Sequence, residues 1–195
     1  TPITADNFNS PPTSGDGMET TDEDVPYTFT AGDFTFNDAD ADAFAGIRIE
    51  SHETAGALKY NGTDVTIGFE CPDVGLLVFT PGADVNGSPY ASFGFKGKDA
   101  RGAFSAAAYT MTINVLPPTL AIHDASRVEG NVGISNVTFT VTLSQATGGT
   151  VSVGYATANH TAAAGSDFIA VSGTVTFSPG ATTQTIPVPV IGDLV

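Results

Sequence analysis

Short runs rich in Val, Ile, Thr, Phe and Tyr alternate apolar with polar positions along most of this chain, and Gly, Pro, Asn and Asp separate them. A two-residue period puts successive side chains on opposite faces of an extended strand, so such runs predict half-buried β-strands; no window shows a helical period. The expected strands in the first half are Tyr27 to Thr30, Ile47 to Ser51, Ala57 to Tyr60, Leu76 to Thr80, Tyr90 to Lys98 and Ala107 to Val115. In the second half they are Leu120 to Asp124, Val137 to Ser144, Val151 to Ala158, Val171 to Ser178 and Thr183 to Ile191. Tyr60-Asn61-Gly62-Thr63 is a hairpin-turn signal. The regular spacing predicts an all-β protein of two β-sandwiches in tandem. Leu116-Pro-Pro-Thr119 predicts a short, stiff joint between them, after an N-terminal extension over 1–18 and a first domain over 19–116.

Charge supports that division. The formal net charge is −15. Residues 1–118 carry 17 acidic and five basic residues, whereas 119–195 carry four acidic residues and Arg127 alone. So acidic a chain excludes a nucleic-acid backbone or an anionic membrane surface as main partner. No apolar run approaches the roughly 20 residues of a membrane helix. The chain opens Thr1-Pro-Ile with neither methionine nor signal peptide, and so reads as a mature product or a segment of something longer. Cys71 is the single cysteine, which excludes an internal disulfide and suits a small buried apolar residue.

Asp38-Ala-Asp40-Ala-Asp42 is the sharpest chemical signal. In an extended segment the three carboxylates point the same way; in a loop they can curl around one ion. Two such charges about 6 Å apart repel by roughly 0.7 kcal/mol at a water-like dielectric and roughly 3 kcal/mol at an effective dielectric near 20. A hard divalent cation removes that repulsion, and oxygen-only ligands favour calcium. An EF-hand is excluded, because positions six and twelve counted from Asp38 are Ala43 and Ile49 instead of Gly and Glu. Calcium-binding β-helix nonapeptides are missing too.

Catalytic signatures are also missing. There is no Gly-x-Ser-x-Gly elbow and no Gly-Lys-Ser phosphate loop, and His52-Glu53 continues Thr-Ala-Gly, not toward a second zinc histidine. His52, His123 and His160 lack zinc-like spacing. With no Trp and five Tyr, the chain is poor in platforms for a sugar substrate. A non-enzyme is expected. Asp84-Val-Asn86-Gly87 reads as an Asx-type turn.

Several motifs of the second half occur in order: Val128-Glu129-Gly130, Val151-Ser-Val-Gly-Tyr-Ala-Thr-Ala158, Ala164-Gly-Ser-Asp-Phe168, Gly173-Thr-Val-Thr-Phe-Ser-Pro-Gly180 and Thr185-Ile-Pro-Val-Pro-Val-Ile-Gly-Asp193. Together they resemble a Calx-beta domain over about 119–195. The resemblance implies an immunoglobulin-like (Greek-key) sandwich with calcium candidates Glu129, Asp167 and Asp193. It also implies further strands after Ile191-Gly-Asp193, so this sandwich is expected to lack its last strands, leaving an open edge and a core groove that invite a strand from another chain.

In the first half, Asn9-Ser-Pro-Pro-Thr13, Thr21-Asp-Glu-Asp24, the Asp38 to Asp42 run, Val78-Phe-Thr-Pro81, Asn86-Gly87 and Tyr90-Ala-Ser-Phe-Gly-Phe95 resemble bacterial cadherin-like modules of giant adhesins. That resemblance implies a second immunoglobulin-like sandwich. It implies a calcium site recruiting Glu23, Asp38, Asp40 and Asp99 with Asp24 and Asp42 as companions, and Asn7 and Asn9 in an ion-sharing linker. The expectation is a calcium-stiffened spacer of a large secreted or cell-surface adhesin or extracellular fibre. Its partners would be neighbouring domains or adjacent subunits. The alternatives are a protein- or glycan-binding module acting through its loops, and a filament subunit completed by strand exchange.

Overall fold

The computed structural model describes residues 8–128 and 130–193. The chain divides into two compact units, Thr1–Pro117 and Pro118–Val195, and the described residues are nearly all strand, turn and loop. No helix among them is long and apolar enough to cross a membrane.

The first unit contains β1 (Thr13–Ser14), β2 (Gly17–Asp22), β3 (Tyr27–Thr28), β4 (Phe36–Asn37), β5 (Phe44–Ser51), β6 (Ala57–Tyr60), β7 (Thr63–Asp64), β8 (Glu70–Cys71), β9 (Leu77–Thr80), β10 (Gly87–Asp99) and β11 (Tyr109–Leu116). A five-stranded sheet runs β2-β11-β10-β5-β8 and a four-stranded one β3-β9-β6-β7, while β1 pairs with β4. Alternation explains the core. Ala91, Phe93 and Phe95 of β10, Ile47 and Ile49 of β5, and Met111, Ile113 and Val115 of β11 are all buried, at every second position. They belong to the same cluster as Phe29, Leu58, Leu77 and Phe79, and Phe29 meets Phe93 edge to face at 5.6 Å between ring centres.

Most expected strands are present with ends shifted by a few residues. The start of the module differs more. β2 pairs in parallel with β11 over six residues, and β1 lies earlier still, so ordered sheet begins ahead of residue 19. Gly17-Met-Glu-Thr-Thr-Asp22 lacks a clean apolar alternation, because this edge strand buries only Thr21. Gly46 explains itself sterically: its φ is +112°, and an added Cβ would lie 2.1 Å from the Cys71 carbonyl oxygen.

The second unit contains β12 (Leu120–Ile122), β13 (Ile134–Leu143), β14 (Val151–Ala156), β15 (Ser172–Phe177) and β16 (Thr183–Ile191). Its sheets are β12-β13-β16 and β14-β15. Val141, Leu143, Phe168, Val175, Phe177, Ile186 and Val188 form a separate, smaller core. A cavity of about 450 Å³ opens in this unit, lined by Ile122, Phe139, Tyr155, Phe168, Ile186 and Val190 among others. Among the described residues β14 pairs with β15 on one side and with no strand on the other.

Cys71 is fully buried, and burial pushes its thiol pKa from 9.0 up to about 12. The thiolate is the reactive form, so a neutral buried thiol is inert. We predict that a thiol reagent at pH 8 leaves the folded protein unlabelled and labels it fully in denaturant. Because the folded pKa is raised, the contribution of this thiol to stability is complete below pH 9 and is lost as pH rises toward 12, which denaturant melts across that window will register.

Candidate metal centre

Asp38, Asp40 and Asp42 occupy the loop between β4 and β5, which settles the strand-or-loop alternative in favour of the loop. The loop closes on its own first side chain. Asp38 Oδ1 accepts hydrogen bonds from the backbone N–H of Asp40 at 2.8 Å and of Asp42 at 3.2 Å, and Ala41 takes a left-handed φ of 62° to complete the turn. Each aspartate thereby contributes a carboxylate oxygen to a group whose members all lie within 4.8 Å of one another. At that separation each pair repels by about 1 kcal/mol at a water-like dielectric and about 3 kcal/mol at an effective dielectric near 20.

Two other segments are fastened to this loop. The Asn9-Ser10 segment comes from before the first strand: Ser10 N–H donates to Asp40 Oδ2 at 2.5 Å, and Asn9 Nδ2 donates to Asp99 Oδ2 at 3.1 Å. Asp99 ends β10 and is 0 % exposed; its Oδ1 accepts from Ala103 N–H at 2.8 Å in the turn that follows. That turn is tied to the loop by Ala100 N–H donating to the Ala43 carbonyl at 2.9 Å. From the same turn Arg101 Nε reaches Asp42 Oδ1 at 3.2 Å.

The oxygens left over decide what the arrangement can do. Asn9 Oδ1, Asp38 Oδ2 and Asp42 Oδ2 are all buried with no hydrogen-bond partner. A buried acceptor without a donor costs about 1–3 kcal/mol, and more when charged. Buried carboxylate and amide oxygens are what a hard cation needs, since calcium takes six to eight oxygens at about 2.3–2.6 Å, with water completing the shell. The group contains neither His nor Cys, which disfavours zinc. The residues present fit calcium.

Glu23 and Asp24 do not join this loop. They form a second group with Asp84, again with one oxygen each within 4.8 Å. Glu23 is 6 % exposed, its N–H donates to the Leu116 carbonyl at 2.9 Å, and its Oε2 accepts from Asn86 Nδ2 at 2.7 Å. Asp84 N–H donates to Asp24 Oδ1 at 2.9 Å. The single recruited set expected from the sequence is thus divided in two. The Asx-turn reading of Asp84-Val-Asn86 missed that this turn meets residues about 60 positions earlier, a pairing with no local signal.

In the second unit, Asp167 Oδ2 accepts from Ala163 N–H at 2.6 Å, as a turn-closing side chain does. The Asp167 carbonyl accepts from Ile191 N–H at 2.9 Å, and Asp193 is exposed just past β16. The described residues of this unit bring no three acids together, and Glu129 and Asn7 lie outside the described residues.

Replacing Asn9 with Ala tests the strap over the loop. It removes the side-chain donor to fully buried Asp99 Oδ2, and the expected cost is about 1–3 kcal/mol in a denaturant melt without metal. No change would show that Asn9 does not fasten this segment.

A search of curated proteins finds none that matches this chain. Residues 122–195 match the family model of the Calx-beta domain, a non-catalytic β-sandwich family with calcium-binding members, so the match covers nearly all of the second unit and none of the first.

Proposed function

We propose that the first unit binds calcium through Asp38, Asp40 and Asp42 with the Asn9 amide oxygen, buttressed by Asp99. In this reading the protein is a calcium-stiffened spacer of a large secreted or cell-surface adhesin or fibre. One observation carries it: three buried oxygens without donors belong to a single knot of loop, strap and hairpin turn. An ion there bonds the incoming Asn9-Ser10 segment to the body of the module and removes the freedom of the chain where it enters. The Calx-beta match of the second unit adds a family in which calcium binding and extracellular modules are common.

Calcium that binds only the folded state stabilises it by RT ln(1 + [Ca]/Kd), about 2.7 kcal/mol at a hundredfold excess. An extracellular module needs only a Kd on the order of 10⁻⁴ to 10⁻³ M. Calorimetric melts in EDTA and then in saturating calcium are expected to differ by roughly 10 °C in the transition of the first unit. Identical midpoints would remove calcium from the account.

The groove of the second unit favours a second reading, in which an extended strand of a neighbouring subunit adds beside β14 and lays alternate apolar side chains into the cavity. Light scattering over a concentration series then gives a mass that climbs above the 195-residue monomer, and a monomer at every concentration argues against it.

A further inference from the structure

We propose that Arg101 is a resident competitor cation that sets how tightly the acidic loop holds calcium. The proposal rests on the calcium reading of that loop. Its observation is separate: a guanidinium already occupies one oxygen of the cluster, Nε standing 3.2 Å from Asp42 Oδ1, while Oδ2 of the same carboxylate is buried without a donor.

The backbone brings Arg101 to the edge of the acidic loop. Arg101 rides on the turn joining β10 to Phe104. That turn is held by Gly102 N–H on the Asp99 carbonyl at 3.1 Å and by Ala103 N–H on Asp99 Oδ1 at 2.8 Å, and Ala100 N–H on the Ala43 carbonyl at 2.9 Å sets it against the loop. Among the described residues, the other ion pairs of this unit, Arg48 with Glu50, Lys59 with Asp64 and Lys98 with Glu70, involve acids outside the three-aspartate group.

Arg101 could act on affinity in two opposite ways. By orienting Asp42 it would strengthen binding; by its charge it would weaken it. Orientation is the smaller effect. Asp42 is already placed by its N–H on Asp38 Oδ1 and by burial of its side chain to 14 % exposure, whereas Arg101 is 45 % exposed and its pair is of the weak surface kind. Charge is the larger. A divalent ion on the opposite oxygen of the same carboxylate lies about 6 Å from the guanidinium, and that repulsion weakens binding about tenfold at a water-like dielectric. In the absence of calcium the same charge offsets part of the repulsion among the three aspartates, so Arg101 stabilises the metal-free loop and raises the calcium concentration at which the site fills.

Calcium titrated calorimetrically into wild type, Arg101→Gln and Arg101→Lys tests this. The expected result is a Kd about five- to tenfold lower for Arg101→Gln, near wild type for Arg101→Lys, with the gap narrowing in about 0.5 M salt as screening grows. In EDTA the melting midpoint of Arg101→Gln falls below that of wild type. Calcium uptake by wild type with an equal or weaker affinity in Arg101→Gln overturns the role of Arg101 and leaves the site standing. A lysine variant that binds as tightly as the glutamine variant also overturns it, because shape and not charge would then matter. No uptake by any of the three overturns the site itself.

Discussion

Three aspartates held with carboxylate oxygens within 4.8 Å of one another are the constraint around which the first unit is organised. Such a group repels itself, and the fold does not let it spread. The turn closed on Asp38 fixes the loop, the Asn9-Ser10 strap crosses to Asp40 and Asp99, and the turn after β10 is bonded to Ala43. The first two of these give donors to the carboxylates, and the third sets the turn that carries Arg101 against the loop. Even so, three buried oxygens receive none, and one guanidinium answers only the outer oxygen of Asp42. Electrostatics therefore leaves the site short of positive charge while packing keeps it closed, which is the state a hard cation resolves.

The two units meet the demands of a β-sandwich differently. The first buries a large aromatic and aliphatic cluster between two sheets, with Phe29, Phe79, Phe93 and Phe95 essentially inaccessible to water. That rigid core holds β5 and β10 in register, and so fixes the spacing between the Asp42 loop and Asp99. In the second unit the core is smaller, and apolar side chains such as Ile122, at 61 % exposure, line a groove beside the bare edge of β14.

Strand content was legible because alternation survives wherever one face is buried: Ala57–Tyr60 and Thr183–Ile191 coincide with their expected bounds. β2 was not, since an edge strand that buries only Thr21 carries little periodic signal, and its parallel pairing with β11 joins residues more than 90 positions apart. The Asp38 to Asp42 run was legible as a cluster, although its sequence left loop and strand equally open until Ala41 adopted a left-handed turn. Glu23 and Asp24 were legible as acids and not as a separate group. What separates them from Asp38 is the length of the sandwich, and what joins them to Asp84 is tertiary.

The central claim is that the leftover oxygens of Asn9, Asp38 and Asp42 are cation ligands. A crystal structure determined with calcium measures it directly. The account predicts an ion about 2.3–2.6 Å from Asp38 Oδ2 and Asp42 Oδ2, with the Asn9 amide oxygen in its shell. A calcium-saturated crystal in which that loop holds no ion, and its buried oxygens stay without partners, would contradict it.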